Sequence, residues 1–443
     1  MFILAREHNI RKGPVFNFTI RKSTVEWLII ISLLIFSFIN NYTLLISLLF
    51  SLLLLRQKEI GAIKILNLVT FRTIINPGIA IDIAHWQSLK WGILFVCSIY
   101  LIKAYFKLDA IPRRKVRKIT NLVLIFMIYN VITALIYSTL PTIAIFKLFS
   151  YVLIFLGVLI GISYTNNKFN WINWSFKLFT ALMMFSLPMV IFPIGYLRNG
   201  HAFQGLTNQP NMFGIVAALS IAIILTAFQT RRIKYRLFTL LTVLPITMYM
   251  IILSKSRTAF LTGCILFLIY IFIIKFNRFL KVISINILVV LIIVFVLLEN
   301  TTLNYLIEFI YKGQSNLLFS RENQVAVLMN NFLMNPWFGN GFAVPVTPYR
   351  SFSFSTEYVV EPGNLILSIL SYSGIIGFMI FVLYIIRIFL INIMQFSQYC
   401  YLPVAAILIS MGEMVFFSSN NIGIWCYMFI SMYMSPDIKH RLE

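Results

Sequence analysis

Apolar runs of about twenty residues recur along this chain, and nothing else constrains its fold as strongly. A helix needs about 20 mostly apolar residues to cross a bilayer core. Such runs stand at 88–106, 119–139, 142–164, 176–195, 211–229, 237–253, 258–274, 282–298, 364–386 and 401–419. A shorter run, 421–435, follows the turn Asn420-Asn421. Segment 25–55 is too long for one span, and Asn40-Asn41 at its centre predicts two short helices. With 60% hydrophobic and 11% charged residues, against about 25% charged in soluble domains, the chain uses lipid as its solvent. That excludes a soluble enzyme, a disordered chain and a fibrous one. The expected fold is all-α: a polytopic transmembrane helical bundle of 12–14 spans, treated as a single integral membrane domain over 1–443.

The formal net charge of +23 would suggest nucleic acid in a soluble protein, but its placement points elsewhere. Lys and Arg collect in loops that stay in the cytoplasm. The clusters Arg6 to Lys22, Arg56 to Lys64, Lys107 to Lys118, Arg231 to Arg236, Lys275 to Lys281, and Lys439 with Arg441, together with Lys168, Lys177 and Arg387, hold 26 of the 36 basic residues. Loops 140–141, 196–210, 254–257, 299–363 and 420–421 then fall outside. Parity leaves two solutions: 25–55 crosses once, giving twelve spans, or, as preferred here, a weak or interfacial span at 61–81, carrying Lys64 and Arg72 and ended by Asn76-Pro77-Gly78, gives fourteen. Both termini are then expected in the cytoplasm, with no cleavable signal peptide in 1–24. The four cysteines lack metal-ligand spacing and read as small core residues, and the four histidines are too scattered for a metal site, so neither metal nor other cofactor is expected.

The few charges outside this pattern carry the functional signal. Loop 196–210 holds Arg198 and His201, and the turn Ser254-Lys255-Ser256-Arg257 holds two more cations. The large loop 299–363 lies between spans 282–298 and 364–386. It holds Lys312, Arg321, Arg350 and five of the thirteen acids: Glu299, Glu308, Glu322, Glu357 and Glu361. Segment 317–334 has the pattern of an amphipathic helix, followed by the aromatic, glycine-punctuated turn Asn335 to Phe342. A guanidinium binds phosphate through two parallel hydrogen bonds and stays charged wherever it sits. Arg198, Arg257 and Arg321 are therefore expected to form a cationic pocket for a lipid that carries phosphate or diphosphate, against the blander role of headgroup anchoring. Glu361 is either a helix cap or a general base. Glu413, inside span 401–419, reads as a paired structural acid or part of a transport path. Trp337 and Tyr349 read as interface anchors or as stacking faces for sugar rings.

Four motifs resemble the O-antigen polymerase and ligase superfamily, in the family's order. They are Gly195-Tyr196-Leu197-Arg198-Asn199-Gly200 through Phe203 to Gly214, Ser254 to Ala259, Asn335-Pro336 through Gly339-Asn340-Gly341-Phe342, and Gly363-Asn364 with Ser373 to Gly377. The resemblance covers roughly 195–380. It implies a GT-C-like membrane glycosyltransferase that uses neither metal nor nucleotide sugar, acting at the outer face of the bacterial inner membrane. The implied donor is a glycan on undecaprenyl diphosphate, and the implied partners are membrane lipid, a flippase and a chain-length regulator. By the same resemblance Arg198, Arg257 and Arg321 would bind the diphosphate. Glu361 or His201 would act as base, with Lys255, Asn211, Arg350 and Asn364 as weaker substrate contacts. Ligases of the superfamily usually carry His just before the Asn of the last motif; here it is Gly363, which favours polymerase over ligase. A lipid-linked oligosaccharide flippase is the alternative from another class, and a structural scaffold is a further one.

Overall fold

The computed structural model describes residues 22–230, 236–273, 322–344 and 363–435. Among these residues the protein is all α-helical, with a single isolated bridge between Ile75 and Thr207. The helices are α1 (Lys22–Phe36), α2 (Asn41–Ser51), α3 (Glu59–Ile74), α4 (Gln87–Lys103), α5 (Ala110–Tyr137), α6 (Pro141–Thr165), α7 (Trp171–Ser186), α8 (Pro210–Thr230), α9 (Arg236–Leu241), α10 (Val243–Leu253) and α11 (Arg257–Ile273). They continue with α12 (Glu322–Met334), α13 (Leu365–Ile391), α14 (Tyr401–Gly412) and α15 (Gly423–Met434). Among the described residues, six segments are long and apolar enough to span a bilayer, and a seventh if Ile393–Tyr399 and Tyr401–Gly412, bent by 72°, count as one. This is a polytopic helical membrane protein. The expected span 282–298 lies outside the described residues.

The break in 25–55 falls where the two asparagines predict it. Asn40 accepts from the Tyr42 and Thr43 amides at 3.0 and 2.9 Å, and Thr43 returns a bond to the Asn40 amide, a capping box that starts α2. The weak stretch at 61–81 becomes α3, and it is a buried helix, not an interfacial one. Its two cations are tolerated because protein, not lipid, surrounds them. Lys64 pairs with Glu26 and donates to Gln57, while Arg72 donates to the Ser37 hydroxyl and to the Ser37 and Ile81 carbonyls. Glu59, at the start of α3, meets Lys107, just past α4, so α3 and α4 run antiparallel across the bundle.

Several of the expected spans are not continuous helices, and two of the breaks shape the site. Span 364–386 is broken inside α13 at Gly374, whose φ of 61° and ψ of −169° lie in a region open essentially to glycine alone. Span 401–419 ends at Gly412; residues 413–422 are irregular, and α15 then leads back through the core with every residue buried. Hydropathy had made these spans whole because it counts apolar side chains and is blind to backbone dihedrals.

Candidate functional site

The Arg198 loop is seated on the end of α3. Fully buried Asn76 donates from its side chain to the Ile194 and Gly205 carbonyls at 2.9 and 2.7 Å, and from its backbone to the Leu206 carbonyl at 2.8 Å. The Asn208 amide answers with a 2.7 Å bond to the Ile74 carbonyl. Within the loop, Gln204 is buried and its side-chain oxygen accepts from the Arg198 amide at 2.8 Å. Gly200 and Gly205, with φ of 72° and 50°, make the reversals. The side chains of Arg198 and His201 are exposed.

A bond of 3.0 Å from the Phe203 amide to the Leu253 carbonyl ties this loop to the end of α10. The next residues are Ser254-Lys255-Ser256-Arg257. Lys255, at φ 53°, points its chain into the open, while Ser254 and Ser256 are buried and Arg257 is half-buried at the first turn of α11. Glycines let two further elements close on this turn. A Cβ on Gly214 of α8 would lie 2.5 Å from the Ser256 Cβ, and one on Gly412 of α14 would lie 2.5 Å from the Thr258 Cγ2. Beside those contacts, Asn211 of α8 donates to the half-buried Glu413 carboxylate at 3.0 Å. Arg198, Lys255, Arg257 and Asn211 are thus brought to one end of the bundle. Glu413 joins them, placed on the chain neighbour of the residue that touches Thr258.

A second construction fills the break in α13. Loop 335–342 lays its backbone into the gap: the Ile375 and Ile376 amides donate to the Pro336 and Trp337 carbonyls at 2.8 and 3.3 Å. In return the Asn340 and Gly341 amides donate to the Ser371 and Tyr372 carbonyls, both at 3.1 Å. Such pairing is what irregular backbone at membrane depth requires. Side chains of α5 and α6 hold the loop from outside. Tyr129 donates to the Ser373 carbonyl at 2.9 Å, Ser373 donates to Asn130, Tyr137 stacks on Phe338 with centroids 5.5 Å apart, and Lys147 donates to the Ala343 carbonyl at 2.9 Å. Asn364 caps α13 by accepting from the Leu367 amide at 3.0 Å. The amphipathic helix expected at 317–334 is α12, whose Met329, Leu333 and Met334 are exposed.

The irregular stretch 413–422 joins the two constructions. It leaves the Arg257 turn at Glu413, brings Phe417 against Phe342 of the loop at 5.0 Å, and bonds Ser419 to Ser150 of α6 at 3.2 Å. Arg321, Arg350 and Glu361 lie outside the described residues. Among those described, no group of three or more His, Cys, Asp and Glu is gathered as a metal site would need.

Sequence reasoning did not single out Lys147, a cation two turns into an apolar span, although that position is itself a signal. Nor did it connect Asn76 to the Arg198 loop or Asn211 to Glu413. These partners are separated by 129 and 202 positions, and no local pattern marks them.

The described helices define a multi-pass helical membrane protein. Residues 242–382 match the family model described as O-Antigen ligase, and the match supports the O-antigen ligase and polymerase superfamily. The matched segment takes in Lys255, Arg257, α12, the loop in the α13 break and the break itself; Arg198, Asn211 and Glu413 lie outside it. No curated protein matches the chain.

Proposed function

We propose that the protein polymerises lipid-linked oligosaccharide repeat units, O-antigen, capsule or exopolysaccharide, at the outer face of the bacterial cytoplasmic membrane. The growing glycan leaves undecaprenyl diphosphate for a sugar hydroxyl of the incoming unit. The observation that carries this reading is the meeting of Arg198, Lys255 and Arg257 on two bonded turns, with Asn211 and Glu413 beside them. In the transfer, the acceptor oxygen bonds to the anomeric carbon, the bond from that carbon to the diphosphate oxygen breaks, and the electron pair stays on undecaprenyl diphosphate. Fixed guanidinium groups stabilise that growing charge, and electrostatic terms of this kind are usually the largest in catalysis. The acceptor proton needs a base in hydrogen-bond reach. Two carboxylates compete for it: Glu361 by its place in the last motif, and Glu413 by its bond to Asn211 next to the Arg257 turn. His201 stands third, exposed on the Arg198 loop. A single displacement inverts the anomeric centre, and retained configuration in the product would refute it.

Ligation of the finished glycan to lipid A-core uses the same donor chemistry, and Gly363 in place of His is what favours polymerisation. Lipid-linked intermediates in a deletion strain separate the readings. Single repeat units on the outer leaflet support a polymerase, long lipid-linked polymer a ligase, and units trapped on the inner leaflet a flippase.

A further inference from the structure

The residue that sets the Arg198 loop lies far away in the sequence, just past the end of α3. Asn76, at the end of α3, bonds across 118 and 129 positions to the carbonyls of Ile194 and Gly205, and its side-chain oxygen accepts from the Gly78 amide at 2.9 Å. Both amide hydrogens and the carbonyl oxygen of its side chain are therefore used, in a fully buried place. Only an amide fits. A carboxylate would face two carbonyl oxygens, and an apolar side chain would leave both without this donor. Gly205 passes the constraint on, because Gln204, one residue earlier, accepts from the Arg198 amide and donates its own to the Gly195 carbonyl at 2.7 Å. The chain of bonds runs from α3 through Asn76 and Gln204 to the backbone of Arg198, and the guanidinium stands exposed at its end.

We propose that Asn76 and Gln204 are positioning residues that fix where the Arg198 guanidinium meets the diphosphate of the substrate. The proposal rests on the reading of Arg198 as a diphosphate ligand. A misplacement of about 1 Å in such a group costs on the order of a hundredfold in rate.

The test is a double-mutant cycle on the full chain in membrane vesicles, with a lipid-diphosphate-linked repeat unit as substrate and polymer formation as the readout. Asn76→Asp, Gln204→Leu and Arg198→Ala are each expected to slow polymer formation by about ten- to a hundredfold at equal membrane abundance. If Asn76 and Gln204 act through Arg198, adding Arg198→Ala to either variant slows it to the level of Arg198→Ala alone, within about twofold. A merely structural role would multiply the two losses, to about a hundred- to ten-thousandfold and well below Arg198→Ala alone, and would overturn the proposal. Wild-type rates in both Asn76→Asp and Gln204→Leu would overturn it too. A wild-type rate in Arg198→Ala would instead remove Arg198 from the site, and the proposal with it. Should Asn76→Asp fail to accumulate, Gln204→Leu decides alone, since it leaves α3 untouched and its side-chain nitrogen has no partner to lose.

Discussion

Replacing Gly374 by Ala should release the loop that fills the break in α13. Two costs add. At φ 61° and ψ −169°, Ala sits in a region that costs about 1–3 kcal/mol. Its Cβ would also overlap the Trp337 carbonyl and come within 2.5 Å of the Phe338 amide. The neighbour is backbone and cannot rotate away, so the loop must retreat. The bonds nearest the overlap, Ile375 to Pro336 and Ile376 to Trp337, then fail, at about 0.5–1.5 kcal/mol each. The total is about 2–6 kcal/mol, a factor of about thirty to many thousand in the closed-to-open ratio of the loop. Two assays read it: the apparent unfolding temperature in detergent, and the labelling rate of a Ser138→Cys thiol, which lies beside Gly341 in the closed loop, where even an added Cβ on Gly341 would come 2.6 Å from the Ser138 side chain. Gly92→Ala is the control, because a Cβ there meets nothing within 4 Å and the helix should gain up to about 1 kcal/mol. If Gly374→Ala matched Gly92→Ala in both assays, the loop would not be held by the break.

The other predictions concern the charged end of the bundle. Arg257→Ala should cut polymer formation by about a hundred- to a thousandfold, and Arg257→Lys by less, since a point charge remains but the fork is lost; gel profiles of chain length read both, and normal profiles remove Arg257 from the site. Glu413→Gln keeps an acceptor for Asn211 but cannot take a proton, so if Glu413 is the base the rate falls by about a hundredfold or more while Glu361→Gln does not reproduce the loss. The reverse pattern would give the role to Glu361, and normal rates in both would end the carboxylate assignment. Lys147→Met keeps the stem and removes the bond to Ala343, at a cost of about 1–3 kcal/mol. It should therefore speed labelling at Ser138→Cys, and an unchanged rate would show that the bond does not hold the loop.

How much of this was legible in the sequence differs between its levels. Apolar runs gave the helical membrane fold directly, because lipid penalises every other kind of stretch. The charge pattern singled out Arg198, Arg257 and Arg321, with Lys255 as a weaker contact; the structure brings Arg198, Lys255 and Arg257 to one end, and Arg321 lies outside the described residues. The motif at Ser373-Gly374 was visible, but not that it breaks a helix. A glycine inside an apolar run changes hydropathy little, and its dihedrals depend on loop 335–342 arriving from elsewhere. Glu413 was read as paired or transporting, and its partner, an asparagine at the start of α8, left no trace in either segment. Long-range polar pairs escape because periodicity reports which face of a helix is buried, not what it is buried against.

The two helix breaks bear on mechanism more than any single residue does. Gly374 breaks α13 and α14 ends at Gly412, and the loop that fills the first break meets the irregular stretch beyond the second where Phe342 packs on Phe417. Transporters also use broken helices, but there the packing on both sides of the site must open in turn. Here the packing beneath the breaks is closed by interlocked rings. Tyr151 lies against Phe417 at 4.9 Å, Phe155 against Tyr427 at 5.3 Å, and Phe381 against Phe416 at 5.6 Å. Hydrogen bonds from Tyr427 to the Phe416 carbonyl at 2.8 Å and between Tyr151 and Tyr384 at 3.3 Å lock that layer. Opening it would strip several buried hydroxyls of their partners and part a close-packed aromatic cluster. Fixed packing below and polar groups gathered above suit a site that binds and reacts from one face. In the proposed polymerisation, a lipid-linked substrate that already stands on that face would have no need to pass through.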